Sequence, residues 1–431
     1  MPRIAFIGAG SVEFTRNVLA DLLSAPDLGK LSIALHDISE ERLRTAGEMA
    51  RATAAAVGAS AGVEVHLERR SALAGADYVV NEIQVGGYDA TRRDFDIPKH
   101  YGLRQTIADT IGIGGIFRGL RTIPVMLEIG NDMAELCPDA WLLNYTNPMA
   151  MLPWAVYEGT PFRNVVGLCH SVRDTHSTLA ELVGVPEEEI TYVTAGFNHQ
   201  AFVLTFSRSG EDLYPRLREV VESDPELQRR VRVEIFRRFG YFPTESSEHS
   251  AEYVPWFMHH DSEIERFRIP VDEYLRRSDE NLNEYEEIKR ELASGGPISV
   301  EPTSELASEV IHSMETGTPR VVYGNVRNDG LINGLPSECC VEVPCEVDAQ
   351  GIGPQAVGTL PAQLLALNRT FLNVVELTVR AALEGSRGHV YQAAMLDPNT
   401  AATLTLREIR QLCDELIEAH GDLMPEGIRR G

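Results

Sequence analysis

Residues 3–24 read "RIAFIGAGSVEFTRNVLADLLS", and this stretch decides the fold of the first part of the chain. It begins with a short apolar run, typical of a buried strand, and ends with apolar residues at helical spacing. Gly8 and Gly10 lie between the two runs, where the strand turns into the helix. The stretch therefore predicts a strand–turn–helix unit whose glycines lie at the helix N-terminus.

The same alternation continues to about residue 150. A second strand, "LSIALHDI" (31–38), precedes the helical pattern "SEERLRTAGEMARATAAAV" (39–57), for which Ser39 is a plausible N-cap. The segments "VEVHLE", "ADYVVNEI" and "AWLLNY" then follow as strands. Nearly continuous apolar strands that alternate with helices indicate a parallel sheet covered on both faces.

From about residue 165 onward, strand-like and helix-like segments are mixed. We therefore predict an α/β fold, with a doubly wound, Rossmann-type parallel sheet and a second, mixed α/β domain. The predicted domains are residues 1–165 and 166–431. A chain of 431 residues is longer than one ordinary core needs, which favours two closely packed domains.

Composition and charge argue against several classes of partner. The chain is 43% hydrophobic and 24% charged, as expected for a soluble globular protein, and it has no long apolar run. The net charge of −25 disfavours nucleic acids and anionic membranes. The N-terminus lacks the apolar region of a secretion signal, and the six cysteines are too irregularly spaced for a disulfide framework. We expect a cytoplasmic protein.

Polar groups near the glycine turn predict a dinucleotide site. Glycines let backbone amides approach a pyrophosphate at a helix N-terminus. Glu13 replaces the third glycine of the usual pattern, but Asp37 at the tip of the second strand can hold ribose hydroxyls and favours NAD over NADP. Residues 24–30 form an insertion that explains its distance from the glycines. The alternative is a simple glycine turn with a capping aspartate.

Two other polar clusters accompany predicted strands and glycines. Asn144 and Asn147 lie in "NYTNP" (144–148), directly after a strand, where ligands bind to parallel sheets, although Asn-Pro also simply forms turns. Asp109 precedes the glycine-rich stretch 112–115. Glycines at that density predict either a flexible, mobile loop or a close approach of this backbone to some other group.

The segment "GLCHSVRDTH" (167–176) places Cys169 beside a histidine after an apolar run, and His199 follows thirty residues later in "AGFNHQ". Each follows a strand-like segment, so the two can converge at one edge of a sheet. One thiolate and one imidazole suit a transition metal such as Mn, Fe, Co or Ni, and they are too few for a structural zinc site. Open coordination positions would admit substrate hydroxyls. The alternative is a buried cysteine and a hydrogen-bonded core histidine.

These motifs together resemble glycoside hydrolase family four, the NAD- and metal-dependent glycosidases. The motifs, in the family's order, are "IAFIGAGS", "QTIADTIGIGGIFRGLRTIP", "NYTNPM", "GLCHSV" and "GFNH". They cover roughly residues 3–200, and "NGLPSECCVEVP" (333–344) extends the likeness into the C-terminal half. The residues "CHSV" resemble those of the α-galactosidase branch, whereas phosphosugar branches carry other residues there.

The resemblance implies an architecture shared with lactate and malate dehydrogenases, and an enzyme that uses NAD and a divalent metal, usually Mn. It places NAD in domain 1–165 and the metal and substrate in domain 166–431, with Cys169 and His199 as metal ligands. The candidate NAD-binding residues are Gly8, Gly10, Ser11, Asp37 and Asn144. The implied reaction is oxidation at C3, elimination across C2 and C1, addition of water and reduction, which departs from hydrolysis by two carboxylates.

Further roles follow from the same resemblance. His170, after the motif cysteine, would be the acid for the leaving group, because an imidazole titrates near neutral pH. Asn147 and Asn198 would bind the substrate. Asp109 matches an acidic position that supports the catalytic base.

The base should lie in "FPTESSEHSAEY" (242–253), where the family column falls near Ser246, which is not a competent base. We favour Glu245 and His249, with Glu248 and Tyr253 as neighbouring candidates. The alternative for this acidic stretch is the capped start of a helix.

Other functions stay open at this stage. Related α-glucosides or uronic acids are alternative substrates, and a 2-hydroxy acid dehydrogenase or a non-catalytic NAD-binding protein are alternative classes. We expect a small sugar as substrate, no nucleic-acid or membrane partner, and a homo-dimer or homo-tetramer.

Overall fold

The structure is a computed structural model that describes residues 1–295, 300–301 and 303–430. Its strands are β1 (Arg3–Ile7), β2 (Leu31–His36), β3 (Ala61–His66), β4 (Tyr78–Asn81), β5 (Trp141–Asn144), β6 (Val165–Leu168), β7 (Ile190–Phe197), β8 (Gln200–Arg208), β9 (Glu211–Asp212), β10 (Phe242–Pro243), β11 (Arg320–Arg327), β12 (Cys340–Asp348) and β13 (Gly351–Pro354).

Helices cover the sheet. They are α1 (Val12–Ser24), α2 (Glu40–Val57), α3 (Arg69–Leu73), α4 (Gly87–His100), α5 (Gly112–Leu136), α6 (Leu152–Gly159), α7 (Ser171–Val183), α8 (Tyr214–Ser223), α9 (Val231–Phe239), α10 (Ser247–Glu252), α11 (Asp261–Phe267), α12 (Glu273–Ser294), α13 (Leu306–Thr316), α14 (Ala362–Glu384), α15 (Arg387–Leu396), α16 (Pro398–Thr403), α17 (Leu406–His420) and α18 (Glu426–Arg430). Among the described residues, none of these helices is long and apolar enough to span a bilayer.

The first six strands form a parallel sheet in the order β3-β2-β1-β4-β5-β6. This is the 3-2-1-4-5-6 order of dinucleotide-binding folds, so the predicted Rossmann-type sheet is confirmed. The strands β1, β2, β4, β5 and β6 are buried almost throughout, as their apolar sequences predict, whereas the edge strand β3 is partly exposed. The side chain of Ser39 caps α2 as expected.

The sheet continues beyond β6 through antiparallel strands in the order β11-β12-β7-β8-β10. Because β6 pairs with β5 on one side and with β11 on the other, one sheet crosses the predicted boundary at residue 165. The division into two domains there therefore stays a prediction. The long helix α14 packs on α5 and joins the two halves of the main core.

The prediction of a flexible, mobile stretch at residues 112–115 is wrong, because α5 begins at Gly112. The alternative, a close approach of this backbone to another group, is correct, and that group is the preceding stretch of backbone. A Cβ on Gly114 would lie 2.5 Å from the carbonyl oxygen of Ala108, and one on Gly115 would lie 2.6 Å from the carbonyl carbon of Thr110. The glycines thus let the segment that carries Asp109 fold directly over the first turn of α5.

Candidate active site

The glycine turn between β1 and α1 is shaped to admit a ligand's phosphates. Gly8 has φ +90°, and a Cβ there would lie 2.9 Å from the backbone of Glu82, so only glycine fits. A Cβ on Gly10 would lie 2.5 Å from the Asp37 carboxylate. The hydroxyl of Ser11, which precedes α1, makes no hydrogen bond within the described residues. These features suit a dinucleotide, whose phosphates bind backbone amides at a helix N-terminus.

Asp37 follows β2 directly, and its carboxylate accepts hydrogen bonds from the amides of Gly10 (2.9 Å) and Ser39 (2.8 Å). Asp37 therefore fits both interpretations made from the sequence. It supports the glycine turn as a capping residue, and its carboxylate still has lone pairs that can accept hydrogen bonds from ribose hydroxyls. Asn144 differs, because it is fully buried and its amide bonds to Asn81 and Thr146. Direct contact between Asn144 and NAD stays a prediction.

The predicted metal ligands meet in space. The Cys169 sulfur, a ring nitrogen of His199 and a carboxylate oxygen of Glu245 all lie within 4.8 Å of one another. Cys169 follows β6, His199 follows β7, and Glu245 precedes α10 with a left-handed backbone (φ 67°). A non-glycine residue in that conformation is strained, and such strain concentrates at functional sites.

Hydrogen bonds orient the His199 ring. The Thr110 hydroxyl donates to Asp109 at 2.8 Å and lies 2.9 Å from Nδ1 of His199. A hydroxyl has one hydrogen, so toward His199 it accepts, and Nδ1 carries the proton. In the neutral ring it is therefore Nε2, 3.9 Å from Glu245, that has the free lone pair. A neutral ring with its other nitrogen held in this way is the form in which histidine binds metals.

The charges of the cluster also fit a cation. Burial alone lowers the pKa of His199, but the adjacent Cys169 sulfur and Glu245 carboxylate raise that pKa to about 10. These partners favour a positive charge at Nε2 of His199, either a second proton or a metal ion that displaces that proton. Asp109, His199 and His249 form an overlapping second group within 4.8 Å. The residues present therefore fit a metal ion at His199.

Asp109 is buried and links several of the predicted site residues. Its carboxylate accepts from the Asn147 amide at 2.8 Å and lies 3.6 Å from Nε2 of His249. Burial alone raises the pKa of Asp109, but the neighbouring His249 and His199 lower it overall. Asp109 is therefore an anion that orients Asn147 and His249.

The segment 242–253 fits both interpretations made from its sequence. Ser246 is the N-cap of α10 and accepts from the backbone amide of His249, which is the capped helix start. Glu245 and His249 nevertheless both belong to the candidate metal-binding groups, and a carboxylate oxygen of Glu245 lies 3.3 Å from Nδ1 of His249. Burial alone raises the pKa of Glu245, whereas His249 and His199 lower it, so Glu245 is ionised. Tyr253 is buried and reaches the ring of His199 at 3.4 Å.

His170 lies beside the cluster at the start of α7. Its Nε2 is 2.9 Å from a carboxylate oxygen of Glu305, and this hydrogen bond raises the pKa of His170. The Tyr145 hydroxyl donates to the same oxygen at 3.2 Å. A histidine with a raised pKa holds a proton near neutral pH, as an acid for a leaving group must. Glu305 is missing from the sequence predictions because it lies 135 residues from His170.

Two more buried carboxylates escape prediction from the sequence. Glu342 on β12 accepts from the Asn198 amide at 3.1 Å, and burial raises the pKa of Glu342 to about 7. The side-chain amide of Asn198 therefore binds a buried carboxylate of the protein itself, and a contact between Asn198 and substrate stays a prediction. Glu252 accepts from the backbone amides of Thr106 and Ala108, each at 2.9 Å. The only signal for Glu342 is its place in "CCVEVP", within the motif at residues 333–344.

Comparison with known families and proteins agrees with this geometry. A family described as "Family 4 glycosyl hydrolase" matches residues 3–185, and its C-terminal domain matches residues 194–400. The chain is 44% identical to an α-galactosidase of Bacillus subtilis, over 99% of this chain and all of that one. It is 35% identical to an α-galactosidase of Rhizobium meliloti, over 98% and 89% of the two chains. An α-galacturonidase of Thermoanaerobacterium saccharolyticum is 27% identical, over 96% and 95%.

Solved structures share the fold. A 6-phospho-α-glucosidase from gut microorganisms, in complex with NAD and Mn²⁺, superposes with a TM-score of 0.83 and 21% identity, over 99% of both chains. Malate dehydrogenase of Plasmodium falciparum superposes with a TM-score of 0.54 and 15% identity, over 89% of this chain and 99% of that one. The architecture predicted from the sequence is thereby confirmed.

Proposed function

The chain belongs to glycosyl hydrolase family 4, and from that premise we propose that it hydrolyses α-galactosides with NAD and a divalent metal ion, preferably Mn²⁺. The observation that carries the proposal is the grouping of Cys169, His199 and Glu245 within 4.8 Å, with Nδ1 of His199 held by Thr110 so that Nε2 is the nitrogen that can bind a metal ion. The identity to two α-galactosidases, and His170 after the motif cysteine, support galactose as the sugar.

The residues that would hold the two cofactors come from separate parts of the sheet. The metal ion would bind Cys169 and His199, with Glu245 as a third ligand. NAD would bind the glycine turn at residues 8–11, with its ribose hydroxyls on Asp37. When bound, NAD exchanges a hydride with C3 of the sugar, and the metal ion makes the C2 proton acidic.

The protein's own residues would then move two protons. His249 would remove the C2 proton, because Glu245 on one nitrogen and Asp109 near the other stabilise the cation that results. His170 would donate a proton to the glycosidic oxygen, and Glu305 would keep it protonated. Asn147, held by Asp109, would bind a sugar hydroxyl. With Glu245 as a metal ligand, His249 is the preferred base of the two candidates.

Family membership removes the dehydrogenase and the non-catalytic NAD-binding protein as alternatives. Uronic acids stay a second candidate class of substrate, because an α-galacturonidase is 27% identical over nearly the whole chain. A carboxylate in place of the sugar's C6 hydroxyl would need a cationic partner beside the galactose unit.

A panel of 4-nitrophenyl glycosides with NAD⁺, Mn²⁺ and a thiol reductant tests the proposal. We expect turnover of the α-galactoside above the α-glucoside and the α-galacturonide, and no net formation of NADH. In D₂O the released galactose should carry deuterium at C2, because the C2–H bond must break. Activity that persists after removal of NAD and metal, with no deuterium at C2, would contradict the proposed reaction.

A further inference from the structure

A cavity of about 380 Å³ opens beside Glu245. Its walls come from the start of α7, the residues before and at the start of α9, and the start of α10. The charged residues of these walls are Asp174, Arg229, Arg230, Arg232, Glu245 and Glu248. Because Glu245 belongs to both the cavity and the metal cluster, a substrate bound at the cluster can extend into this space.

Most of the charged groups in the cavity are unpaired. Within the described part of the chain, the carboxylates of Asp174 and Glu248 make no hydrogen bond or ion pair, and neither do the guanidinium groups of Arg229 and Arg230. In the same described residues, the guanidinium group of Arg232 donates only to the backbone carbonyl of Glu245, at 2.9 Å.

Two other arginines on α9 behave differently. Arg237 and Arg238, which do not line the cavity, both pair with Glu234. Ion pairing is therefore available to this helix, and it is absent where the helix faces the cavity. Opposite charges that share a cavity without neutralising each other leave donors and acceptors free for a ligand.

The balance of charge defines the chemistry of that ligand. Three arginines face three carboxylates, so the cavity has no excess of either sign. A neutral polyhydroxylated molecule suits such walls, because each hydroxyl can donate to a carboxylate and accept from a guanidinium group. An anionic ligand would meet Asp174, Glu245 and Glu248 as well as the arginines.

We infer that this cavity binds the neutral hexose that leaves during hydrolysis, an inference that rests on the proposed function. The sugar that exchanges a hydride must lie between the glycine turn and the metal cluster. No residue of the turn at 8–11 lines the cavity, whereas Glu245 of the metal cluster does. The part of the substrate beyond the metal cluster is the leaving group. The cavity therefore selects galactosides by the sugar that is released.

The experiment compares two α-galactosides with the holoenzyme in NAD⁺ and Mn²⁺. One is α-galactosyl-(1→6)-glucose, and the other is 4-nitrophenyl α-galactoside, whose leaving group lacks sugar hydroxyls. In Asp174→Asn and Arg229→Gln the ratio of kcat/KM, disaccharide to aryl galactoside, should fall about tenfold, the loss expected for one hydrogen bond to a charged group. Both side chains are exposed, so folding should not change. Arg238→Gln, which is on α9 and outside the cavity, should keep the wild-type ratio.

Two further measurements define the outcome. Free glucose should inhibit the wild type competitively and inhibit the two cavity variants less. A disaccharide with glucuronic acid as its leaving unit should react more slowly than the glucose compound. The inference about the cavity would be overturned if both cavity variants kept the wild-type ratio of kcat/KM, or if the enzyme preferred the glucuronic acid compound. In either case, turnover of the aryl galactoside would still support the proposed function. A wild type inactive on the aryl galactoside would overturn the proposed function and the subsite with it.

Discussion

The Thr110 hydroxyl lies 2.9 Å from Nδ1 of His199 and accepts a hydrogen bond from it, so Nε2 is the nitrogen of that histidine that can bind a metal ion. Replacing Thr110 by valine keeps the shape and removes the acceptor. Loss of such a supporting hydrogen bond typically weakens metal binding about 10–100-fold. Titration of the metal-free protein with Mn²⁺ should show this loss in Thr110→Val and little change in Thr110→Ser. If the valine variant bound Mn²⁺ as tightly as the wild type, Thr110 would not determine which ring nitrogen of His199 carries the proton.

Cys169→Ser should abolish activity and Mn²⁺ binding, because a hydroxyl is a poor ligand for a transition metal. NAD affinity and the circular dichroism spectrum should stay as in the wild type, since the glycine turn lies in a different part of the sheet. Cys137→Ala, at the end of α5 and outside the cluster, is the matched control and should stay active. Normal turnover and metal content in Cys169→Ser would show that the metal site is elsewhere.

Local sequence patterns predict the parallel half of the sheet well, because each strand and helix there follows from its own periodicity. The antiparallel half could not be predicted in the same way. β11 and β12 pair between β6 and β7, although they lie more than a hundred residues later in the chain. Such long-range pairing leaves no local pattern. The glycines at 112–115 misled for a different reason, because a run of glycines fits both a mobile loop and a helix start against which the preceding loop packs closely.

The same distinction between local motifs and long-range contacts applies to the residues of the candidate site. Cys169 and His199 could be identified because each lies in a short motif after a strand. Glu305 and Glu342 could not, because their importance comes from contacts with His170 and Asn198 across more than a hundred residues. Their carboxylates look like any others in a chain with 64 acidic residues.

Asp37→Ala should weaken NAD binding by about 1–3 kcal/mol, the usual cost of losing a charged hydrogen-bond partner. It should also reduce the preference for NAD over NADP, because the carboxylate no longer repels the extra phosphate. Fluorescence titration with both cofactors measures the two effects, and Asp27→Ala, outside the glycine turn, serves as the control. Unchanged affinity for both cofactors would place the ribose elsewhere.

His176 should make the protein sensitive to acid. Its ring is buried against Tyr192, with ring centroids 3.9 Å apart, and burial lowers the pKa of His176 to about 3. Above pH 6.5 the ring is neutral in both states, whereas below that pH only the unfolded chain takes up the proton, so stability falls as the pH drops toward 3. At pH 5 this should cost about 2 kcal/mol relative to pH 8. Urea unfolding at both pH values should show that loss in the wild type and not in His176→Gln. The same pH dependence in both proteins would assign the acid sensitivity to other groups.

Glu252 should act as a positioning residue for the loop that carries Asp109 and Thr110. Its carboxylate accepts from the amides of Thr106 and Ala108, each at 2.9 Å, and it lies at the end of the helix that holds His249. In Glu252→Gln one of these acceptors becomes a donor, so the loop should loosen and the metal cluster should lose its geometry. We expect kcat to fall about tenfold or more with a smaller change in KM, because small misplacements of catalytic groups cost that much. Hydrogen exchange at the Thr106 and Ala108 amides should accelerate in parallel. Glu265→Gln, exposed on α11, should change neither quantity. A Glu252→Gln enzyme with wild-type kcat and protected amides would show that the loop holds its position without this carboxylate.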